Sequence, residues 1–490
     1  CAPTADDSVG AQVIAPTDAI NSQLDLVSAL VESSLVRAED GVADEPRFRM
    51  LETVREYGLE QLRASGEEDA VRDRHLAWCD ELTEEFGRHL FGQTYRVWLD
   101  RLDAEHDNVR AALRWSEGDS SRAERGLQMA SGLANGYWTI RAHLTEGRDW
   151  FRRLLALVQD RMPLRARGLQ GAGYFALRQS DYPDADARFA EALAIWDELG
   201  DRRGRAMTLS RYAVVPHHLR DFDRAKSMLE EGLALSREFG DQHGVQVAVR
   251  NLADLARDRG ELPEAAAAYQ EALAMARAAG DNHDVGYALR GLGHVARAQG
   301  QYERAREYLR ESLTSLRELR DRRCIPLCLE GLACTETGAD WAERAARLFG
   351  AAHATQATTG APAPPADLAD YQRTEADARA SLGAERFAEI WEAGAALSLD
   401  EAVAYALAES VTAAVPATTV PLSAREREVV ALIASGLSNR QIAEQLVLSV
   451  RTVERHIENV YNRLGISGKA GRAIVTAYAL RHHVVATQPG

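Results

Sequence analysis

The architecture of the chain follows from one 40-residue stretch, residues 280–319: GDNHDVGYALRGLGHVARAQGQYERAREYLRESLTSLREL. Its opening pair returns every 40 residues, at Gly200-Asp201, Gly240-Asp241 and Gly280-Asp281, and Arg320-Asp321 continues the series. On both sides of the short turn at Gly300-Gln301, apolar residues recur at steps of three and four, which is typical of a pair of helices. A single hairpin of this kind cannot bury its apolar face alone, so the sequence predicts a solenoid of stacked helix pairs.

When the units are aligned, equivalent positions carry residues of similar size. Small residues occupy one column of the first helix, at Gly173, Ala213, Ala253, Gly293 and Ala333. In the second helix, a column of alanines is followed four residues later by a column of large residues, at Phe189, Leu229, Tyr269 and Leu309. Small residues let two helix backbones approach closely, and large ones fill the space beside them. The spacing resembles the tetratricopeptide repeat, although a unit of 40 residues exceeds the usual ~34 and predicts longer helices.

The whole chain is predicted to be all-α and to divide into eight segments. In chain order these are an irregular tail (1–20), a small N-terminal segment (21–67), a helical connector (68–160), the repeats (161–353), a Pro/Thr-rich linker (354–366), a segment of two or three amphipathic helices (367–410), a second linker (411–420) and a C-terminal domain (421–485). Gly132–Leu155 is interpreted as a degenerate early repeat and Trp341–Ala352 as a terminal one.

Composition and charge restrict the class of protein. With 46% hydrophobic and 27% charged residues, and without an apolar run long enough for a membrane helix, the chain is expected to be cytoplasmic and to have no membrane partner. The formal net charge is −16, yet residues 421–490 hold nine Lys/Arg against five Asp/Glu. A basic end on an acidic body is expected when one domain contacts phosphate. Cys324 and Cys328 are expected to be packed small residues rather than metal ligands, because no second pair of ligands accompanies them.

The C-terminal domain shows the pattern of four short helices. Capping boxes at Ser423–Glu426 and Ser438–Gln441 open the first two, and Ser449 is the predicted N-cap of the third. The third helix carries an apolar stripe at Val453, Ile457, Val460 and Leu464, and a fourth near 472–482 has Ile474, Val475 and Tyr478 on one face. Because the opposite side of the third helix is charged, the layout is that of a helix-turn-helix whose third helix enters the ~12 Å major groove of DNA.

These residues resemble the LuxR-type helix-turn-helix family over about 60 residues. The motifs that carry the resemblance are Pro421-Leu422-Ser423, Arg425–Val429, Gly436–Asn439, Ile442-Ala443, Ser449–His456 and Leu464-Gly465. The resemblance implies binding to double-stranded DNA as a dimer, with the fourth helix mediating dimerisation. It also implies roles: Arg451 and Thr452 near phosphates, Asn439 or Arg440 on the backbone, and Glu454, Arg455 and Glu458 at the base edges. The full candidate set is Asn439, Arg440, Ser449, Arg451, Thr452, Glu454, Arg455, Glu458, Asn462 and Lys469.

The acidic residues of this set depart from family members that carry lysine at the first and last base-reading positions. Either Glu454 selects bases, since a carboxylate can accept from the amino group of cytosine, or Glu454 and Glu458 fold onto Arg455 and Arg451 at helical spacing. The second interpretation is slightly favoured. Among the histidines, His456 is expected to pack in the core with a backbone hydrogen bond. The pairs His217-His218 and His482-His483 are expected at the surface.

The N-terminal residues resemble the end of the winged-helix segment in large signal-transducing (STAND-like) ATPase regulators. Leu30–Val36, Phe48–Tyr57, Arg74–Trp78 and Leu102–Asn108 carry this similarity. Such regulators place a P-loop ATPase first, so the chain is expected to be part of a longer protein. Because no G-x-x-x-x-G-K-[ST] run occurs, we expect no ATPase, no other enzyme activity and no cofactor in these residues.

Three hypotheses of function follow. The first is a transcription regulator in which the C-terminal domain reads promoter DNA as a homodimer and the solenoid receives a protein, peptide or small-molecule signal. The second is a protein-interaction scaffold whose repeats bind partners. The third is a fragment of an ATP-dependent signalling switch.

Overall fold

A computed structural model describes residues 17–42, 46–90, 92, 94–336, 341–408, 422–434, 437–446, 448–464 and 475. The N-terminal segment contains helix α1 (Thr17–Glu32), strands β1 (Val36–Asp40) and β2 (Pro46–Met50), and helix α2 (Glu52–Ser65). The strands pair antiparallel, with Val36 opposite Met50 and Asp40 opposite Pro46. Helix α1 begins inside the predicted irregular tail of residues 1–20, because apolar residues at helical spacing extend back to Ile20.

The connector is a bundle of α3 (Glu68–Arg88), α4 (Tyr95–Ser116), α5 (Ser120–Ala134), the short α6 (Tyr137–Ile140) and α7 (Leu144–Leu157). Its core is aromatic and aliphatic, with Phe86, Leu99, Leu127, Trp138 and Phe151 all fully buried. All the regular elements described between residues 68 and 160 are helices, in keeping with the all-α fold class.

The repeats form the predicted helix pairs. They comprise α8 (Pro163–Arg178), α9 (Tyr182–Leu199), α10 (Arg202–Tyr212), α11 (Val214–His218), α12 (Phe222–Glu238), α13 (Gln242–Asp258), α14 (Leu262–Ala279), α15 (Asn282–Ala298), α16 (Tyr302–Leu319), α17 (Cys324–Ala333) and α18 (Trp341–Thr359). In the second unit the first helix is split into α10 and α11 at Ala213. Pro216 lacks the N–H that would bond back to the preceding turn, which accounts for the split.

The Gly-Asp pairs end one unit and begin the next. Gly200, Gly240 and Gly280 adopt positive φ of 64°, 65° and 69°, the left-handed conformation that closes a helix C-terminus. The aspartate that follows each glycine then caps the next helix. Asp241 Oδ1, for example, accepts from the amide of Gly244 at 3.1 Å. The 40-residue period is therefore the spacing between successive stop-and-start signals.

The aligned columns are buried as predicted. The alanines at 185, 225, 265 and 305 have no exposed surface, and neither Phe189 nor Tyr269 has any. A Cβ added to Gly293 would lie 2.7 Å from Cγ of Leu309, so the small residue of one helix admits the large residue of its partner.

Three helices follow the repeats: α19 (Pro365–Leu382), α20 (Ala384–Ala395) and α21 (Leu399–Leu407). The predicted linker 354–366 is wrong for its first half, because α18 runs to Thr359. Its threonines do not break the helix; Thr355 Oγ1, for example, donates to the carbonyl of Ala351 at 3.1 Å. Helices α18 and α20 cross closely, since a Cβ at Gly394 would lie 2.1 Å from the carbonyl oxygen of Arg347.

The solenoid is curved, so that the two ends of its fourth unit (α15 and α16) contact the connector. The amide of Arg322 donates to the carbonyl of Ile140 at 2.9 Å, and the amide of Gly92 donates to the carbonyl of Gly280 at 3.2 Å. Nη1 of Arg141 donates to the carbonyl of Leu319 at 2.6 Å. We call these three contacts the clasp. They join residues 178 to 188 positions apart and close the superhelix into a ring.

His217 and His218 do not lie at the surface, so that prediction is wrong. His217 is buried and its Nε2 lies 2.8 Å from Oδ2 of Asp258 in the next unit, while His218 is half-buried against Tyr182. Both lie on α11, a first helix of a repeat, and this side of the helix packs against its neighbour. The pair His482-His483 lies outside the described residues. None of the helices in the described part of the chain is long and apolar enough to span a bilayer.

Candidate nucleic-acid interface

The C-terminal domain begins with three capped helices, α22 (Ala424–Ala434), α23 (Asn439–Gln445) and α24 (Val450–Leu464). Both predicted capping boxes form. The amide of Ser423 donates to Glu426 Oε2 at 2.7 Å, and the amide of Ser438 donates to Gln441 Oε1 at 2.8 Å. The amide of Thr452 donates to Ser449 Oγ at 3.1 Å, so Ser449 caps α24 as predicted.

One apolar cluster holds the three helices together. It contains Val429, Val430 and Ile433 from α22, Ile442 and Ala443 from α23, and Val453, Ile457 and Val460 from α24. Val475, from the predicted fourth helix, is buried in the same cluster; Ile474 and Tyr478 lie outside the described residues. Leu446 is half-buried, and the side chain of Leu464 is not described. The predicted inward faces are confirmed for these buried residues.

An arginine of α22 hydrogen-bonds to the backbone just after α23, a contact that the sequence analysis did not predict. Nη2 of Arg425 donates to the carbonyl of Leu446 at the end of α23, at 2.7 Å, while Nη1 pairs with Glu428 at 2.6 Å. Arg425 belongs to the LuxR-type motif Arg425–Val429, which marks the residue as important. The sequence alone does not show which carbonyl its side chain contacts. Arg425 links α22 to the turn that precedes α24.

The buried carboxylate of Glu426 provides a second link. Burial disfavours its ionised form, but the Ser423 amide and hydroxyl and the charge of Arg463 outweigh burial and lower the pKa of Glu426. Nε of Arg463 lies 3.4 Å from Glu426 Oε1. His456 is half-buried nearby, but the hydrogen bond expected for it is not formed with any described residue.

The outer side of α24 is open and charged. Arg451, Glu454, Arg455 and Glu458 are exposed, and none of them makes an ion pair within 4 Å with another residue of the described chain. The favoured interpretation, in which both glutamates fold onto the arginines, is therefore wrong in this structure. Exposed pairs at helical spacing gain only a few tenths of a kcal/mol, too little to hold two long side chains in one geometry.

The remaining candidate residues lie close to this surface or outside the described side chains. Ser449 is exposed and Thr452 is half-buried at the start of α24, where their hydroxyls lie 2.7 Å apart. Asn439 and Arg440, at the start of α23, each have a partner already. The side chain of Asn462 and the whole of Lys469 are not described.

Two further polar clusters bring together residue types that bind metals. His106, His143 and Glu146 form one, and His283, Asp321 and Cys324 form the other, with ligand atoms within 4.8 Å. Each carboxylate already has a partner that is not one of the potential ligands: Arg110 Nη2 lies 2.6 Å from Glu146 Oε2, and the amide of Arg323 donates to Asp321 Oδ1 at 2.9 Å. Burial raises the pKa of the Cys324 thiol to about 12, which disfavours the thiolate that a metal requires. We assign both clusters to packing.

The sequence reasoning also missed a cavity in the ring of the solenoid. Its volume is about 320 Å³, and it is lined by first helices of the repeats and by the connector. Among its lining residues are Tyr174, Arg178, Arg211 and Arg250. One irregularity of the repeat indicates it. Arg211 occupies a position that is glycine in two other units, at 171 and 291, and asparagine at 251 in a third.

Comparison with known proteins identifies both the repeat region and the C-terminal domain. Residues 420–476 match the model of the bacterial regulatory proteins of the luxR family, and residues 173–373 match the MalT-like TPR region. The chain carries a LuxR-type helix-turn-helix behind a MalT-like repeat region. The LuxR-type match covers α22, α23, α24 and Val475, and the MalT-like match extends from α8 into α19.

The curated relatives are transcriptional regulators. An HTH-type transcriptional regulator of Mycobacterium tuberculosis is 35% identical over 189 residues, which is 37% of this chain and 21% of that protein. The regulator MalT of Vibrio parahaemolyticus is 48% identical over 59 residues, which is 12% of this chain and 6% of MalT. The matched segments therefore span about a fifth or less of these two relatives.

Solved structures are more distant. A STAND protein with a tetratricopeptide repeat sensor from Pyrococcus horikoshii covers 77% of this chain and 63% of its own, at 15% identity and a TM-score of 0.39. A Rap protein complexed with competence and sporulation factor covers 69% of this chain and 97% of its own, at 14% identity and a TM-score of 0.42.

Proposed function

We propose that this chain is a DNA-binding transcription regulator whose helix α24 enters the major groove of promoter DNA. One observation carries the proposal: α24 buries Val453 and Val460 against its predecessors and leaves Arg451, Glu454 and Arg455 exposed without ion pairs in the described chain. A helix held in this way can present its N-terminal outer residues to base edges. The match to the luxR family and the similarity to transcriptional regulators support the same function.

The roles of the side chains follow from their chemistry. Arg455 can donate two hydrogen bonds to guanine, and Glu454 and Glu458 can accept from the amino group of cytosine. Because these carboxylates are not neutralised by neighbouring arginines, they also repel phosphate and penalise binding to the wrong sequence. Ser449, Arg451 and Thr452 lie at the helix N-terminus, where phosphate is favoured. Asn439 and Arg440 would contact the backbone from α23, with Asn462 and Lys469 completing the set.

We further propose that the regulator binds DNA as a homodimer in the cytoplasm, without enzyme activity in this chain. One module of this size buries roughly 600–1,000 Å² on DNA, which seldom suffices for tight specific binding. Two half-sites with two-fold symmetry would supply the rest. In this scheme the solenoid receives the signal and the C-terminal domain reads the DNA.

A DNA-shift assay with the full chain tests the proposal. Upstream fragments from its own genome are compared with a random fragment as the salt concentration rises. We expect selective complexes that weaken steeply with salt. Arg455→Ala should lose about 1–3 kcal/mol on the selected fragment if Arg455 reads a base.

Arg427→Ala is the matched control, because Arg427 is an exposed arginine of the same domain on α22. It should bind like the unmodified chain. Absence of any selective complex at low salt would contradict the proposal and favour the scaffold hypothesis. An equal loss for Arg455→Ala on random DNA would make Arg455 a phosphate contact.

A further inference from the structure

The cavity in the solenoid ring holds more positive charge than its acids neutralise. Four arginines, Arg167, Arg178, Arg211 and Arg250, line it together with two aspartates, Asp281 and Asp284. The aspartates are already engaged: Asp284 pairs with Arg250 and accepts from Gln246 at 2.7 Å, and Asp281 accepts from the amide of Asp284 at 3.0 Å. The charge that remains is that of the arginines around Tyr174.

Arg178 and Arg211 converge on the ring of Tyr174 without a carboxylate. Their guanidinium carbons lie 4.7 and 5.6 Å from the ring centroid. Neither makes an ion pair within 4 Å in the described chain, and Nε of Arg178 is buried without an acceptor. Arg323, nearby, is also buried with an unsatisfied Nε. Arg178 and Arg211 are half-buried. Partly desolvated guanidinium groups without a carboxylate are costly, so their convergence beside Tyr174 favours the binding of an anion there.

The electrostatics of the neighbouring groups agree with this geometry. Burial alone would raise the pKa of Tyr174, but the charges of Arg178 and Arg323 outweigh it and lower the pKa to about 7. Burial also lowers the pKa of Arg211, and the charges of Arg250 and Arg178 add to this effect, while Tyr174 opposes it. Both effects indicate an excess of positive potential at this point.

The size and walls of the cavity restrict the ligand. A volume of about 320 Å³ lies at the small end of the range for small-molecule pockets. Leu177, Met207 and Val247 supply apolar wall beside the arginines. The clasp closes the superhelix around this space, which favours a small molecule over an extended polypeptide.

We propose that this cavity binds a small organic oxyanion, a carboxylate or phosphate attached to an apolar body, with the anionic group between Arg178 and Arg211. Arginine recognises both groups through paired N–H donors, and Tyr174 supplies a flat surface beside them. If the proposed function is correct, this ligand is the signal that the regulator receives. The proposal that the cavity binds the ligand does not depend on that function.

Titration calorimetry with the full chain at low salt tests the proposal. The probes are phenyl phosphate and benzoate, with benzyl alcohol as a neutral molecule of similar shape. We expect at least one anion to bind at least tenfold more tightly than benzyl alcohol, and the stronger of the two identifies the head group. Arg178→Gln and Arg211→Gln should weaken that binding roughly tenfold to a hundredfold.

Arg237→Gln is the control, because Arg237 is exposed in the last turn of α12, outside the cavity. It should bind like the unmodified chain. The unfolding midpoint of Arg211→Gln should equal or exceed that of the unmodified chain, since the change removes an uncompensated charge. Equal affinity for neutral and anionic probes, unchanged affinity in Arg211→Gln, or no binding of either anion at millimolar concentration would overturn the proposal. DNA plays no part in this experiment, so its failure would leave the DNA-binding proposal standing.

Discussion

At the scale of single residues, Glu454 was open to two interpretations, since its carboxylate could either contact a base or pair with a neighbouring arginine. It is exposed on α24, with no ion pair to described residues, so its charge faces whatever approaches the helix. Sequence reasoning placed the residue correctly but favoured a local pairing. The pairing is worth too little to predict from spacing, because solvent competes for both side chains.

Removing this charge should loosen discrimination. We predict that Glu454→Gln binds random DNA about threefold to tenfold more tightly at low salt, because phosphate is no longer repelled. The binding of selected and random fragments is compared by fluorescence anisotropy. Glu307→Gln, at an exposed position of α16, also removes one negative charge but lies outside the C-terminal domain. It should change the affinity for neither the selected nor the random fragment. If Glu454→Gln leaves the ratio of the affinities for selected and random fragments unchanged, the carboxylate does not face DNA.

A buried glutamate makes the stability of the solenoid depend on pH. Glu330 is only 2% exposed, and burial raises its pKa to about 8, although Gln356 donates to it at 2.9 Å. The folded chain then holds a proton that the unfolded chain releases near pH 4.5. The contribution of Glu330 to stability is therefore present at low pH and is lost as pH rises towards 8.

We predict that Glu330→Gln removes this dependence. Its free energy of unfolding should match that of the unmodified chain near pH 4 and exceed it by about 2–4 kcal/mol at pH 8.5. Denaturant unfolding at both pH values measures the difference. Glu307→Gln again serves as control, and equal pH profiles for Glu330→Gln and the unmodified chain would contradict the prediction.

At the scale of elements, the residues that end one helix and begin the next were the most predictable features. The Gly-Asp pairs and the serine caps at 423, 438 and 449 act through hydrogen bonds within four residues, so the sequence alone defines them. The errors lie where threonine and proline suggested irregular chain. Helix α18 continues to Thr359 because its hydroxyls bond back to the helix and tertiary packing supports it.

The cap of α24 should contribute measurably to the stability of the candidate interface. We predict that Ser449→Ala destabilises the first turn of α24 by about 1 kcal/mol, because the amide of Thr452 loses its acceptor. Amide hydrogen exchange of residues 451–454 should accelerate accordingly. Ser449→Asp keeps an acceptor and should retain protection. Equal exchange rates in all three chains would mean that the cap contributes nothing.

At the scale of the whole molecule, the repeat predicted a solenoid but not its closure. Whether a superhelix meets its own connector depends on small rotations between units, which accumulate and leave no local signature. The clasp and the cavity that it encloses were therefore beyond the reach of pattern reasoning. The basic character of the C-terminal end, by contrast, was readable from charge counts alone.

Arg141 provides the side-chain contact of the clasp. It is 7% exposed, lies 2.8 Å from Asp103 Oδ2 and donates to the carbonyl of Leu319. We predict that Arg141→Ala costs about 1–3 kcal/mol and increases the radius of gyration measured by small-angle X-ray scattering, as the ring opens. Arg96→Ala, on an exposed position of α4, should leave the radius unchanged. An unchanged radius in Arg141→Ala would show that the other clasp contacts suffice.

Genome-wide mapping of the fragments bound by the chain would show whether the outer side of α24 selects DNA sequence, as we propose. We predict that the unmodified chain enriches fragments sharing a sequence with two-fold symmetry, that Arg427→Ala enriches the same fragments, and that Arg455→Ala loses the enrichment. Fragments without a common sequence, or the same enrichment in Arg455→Ala, would contradict the account.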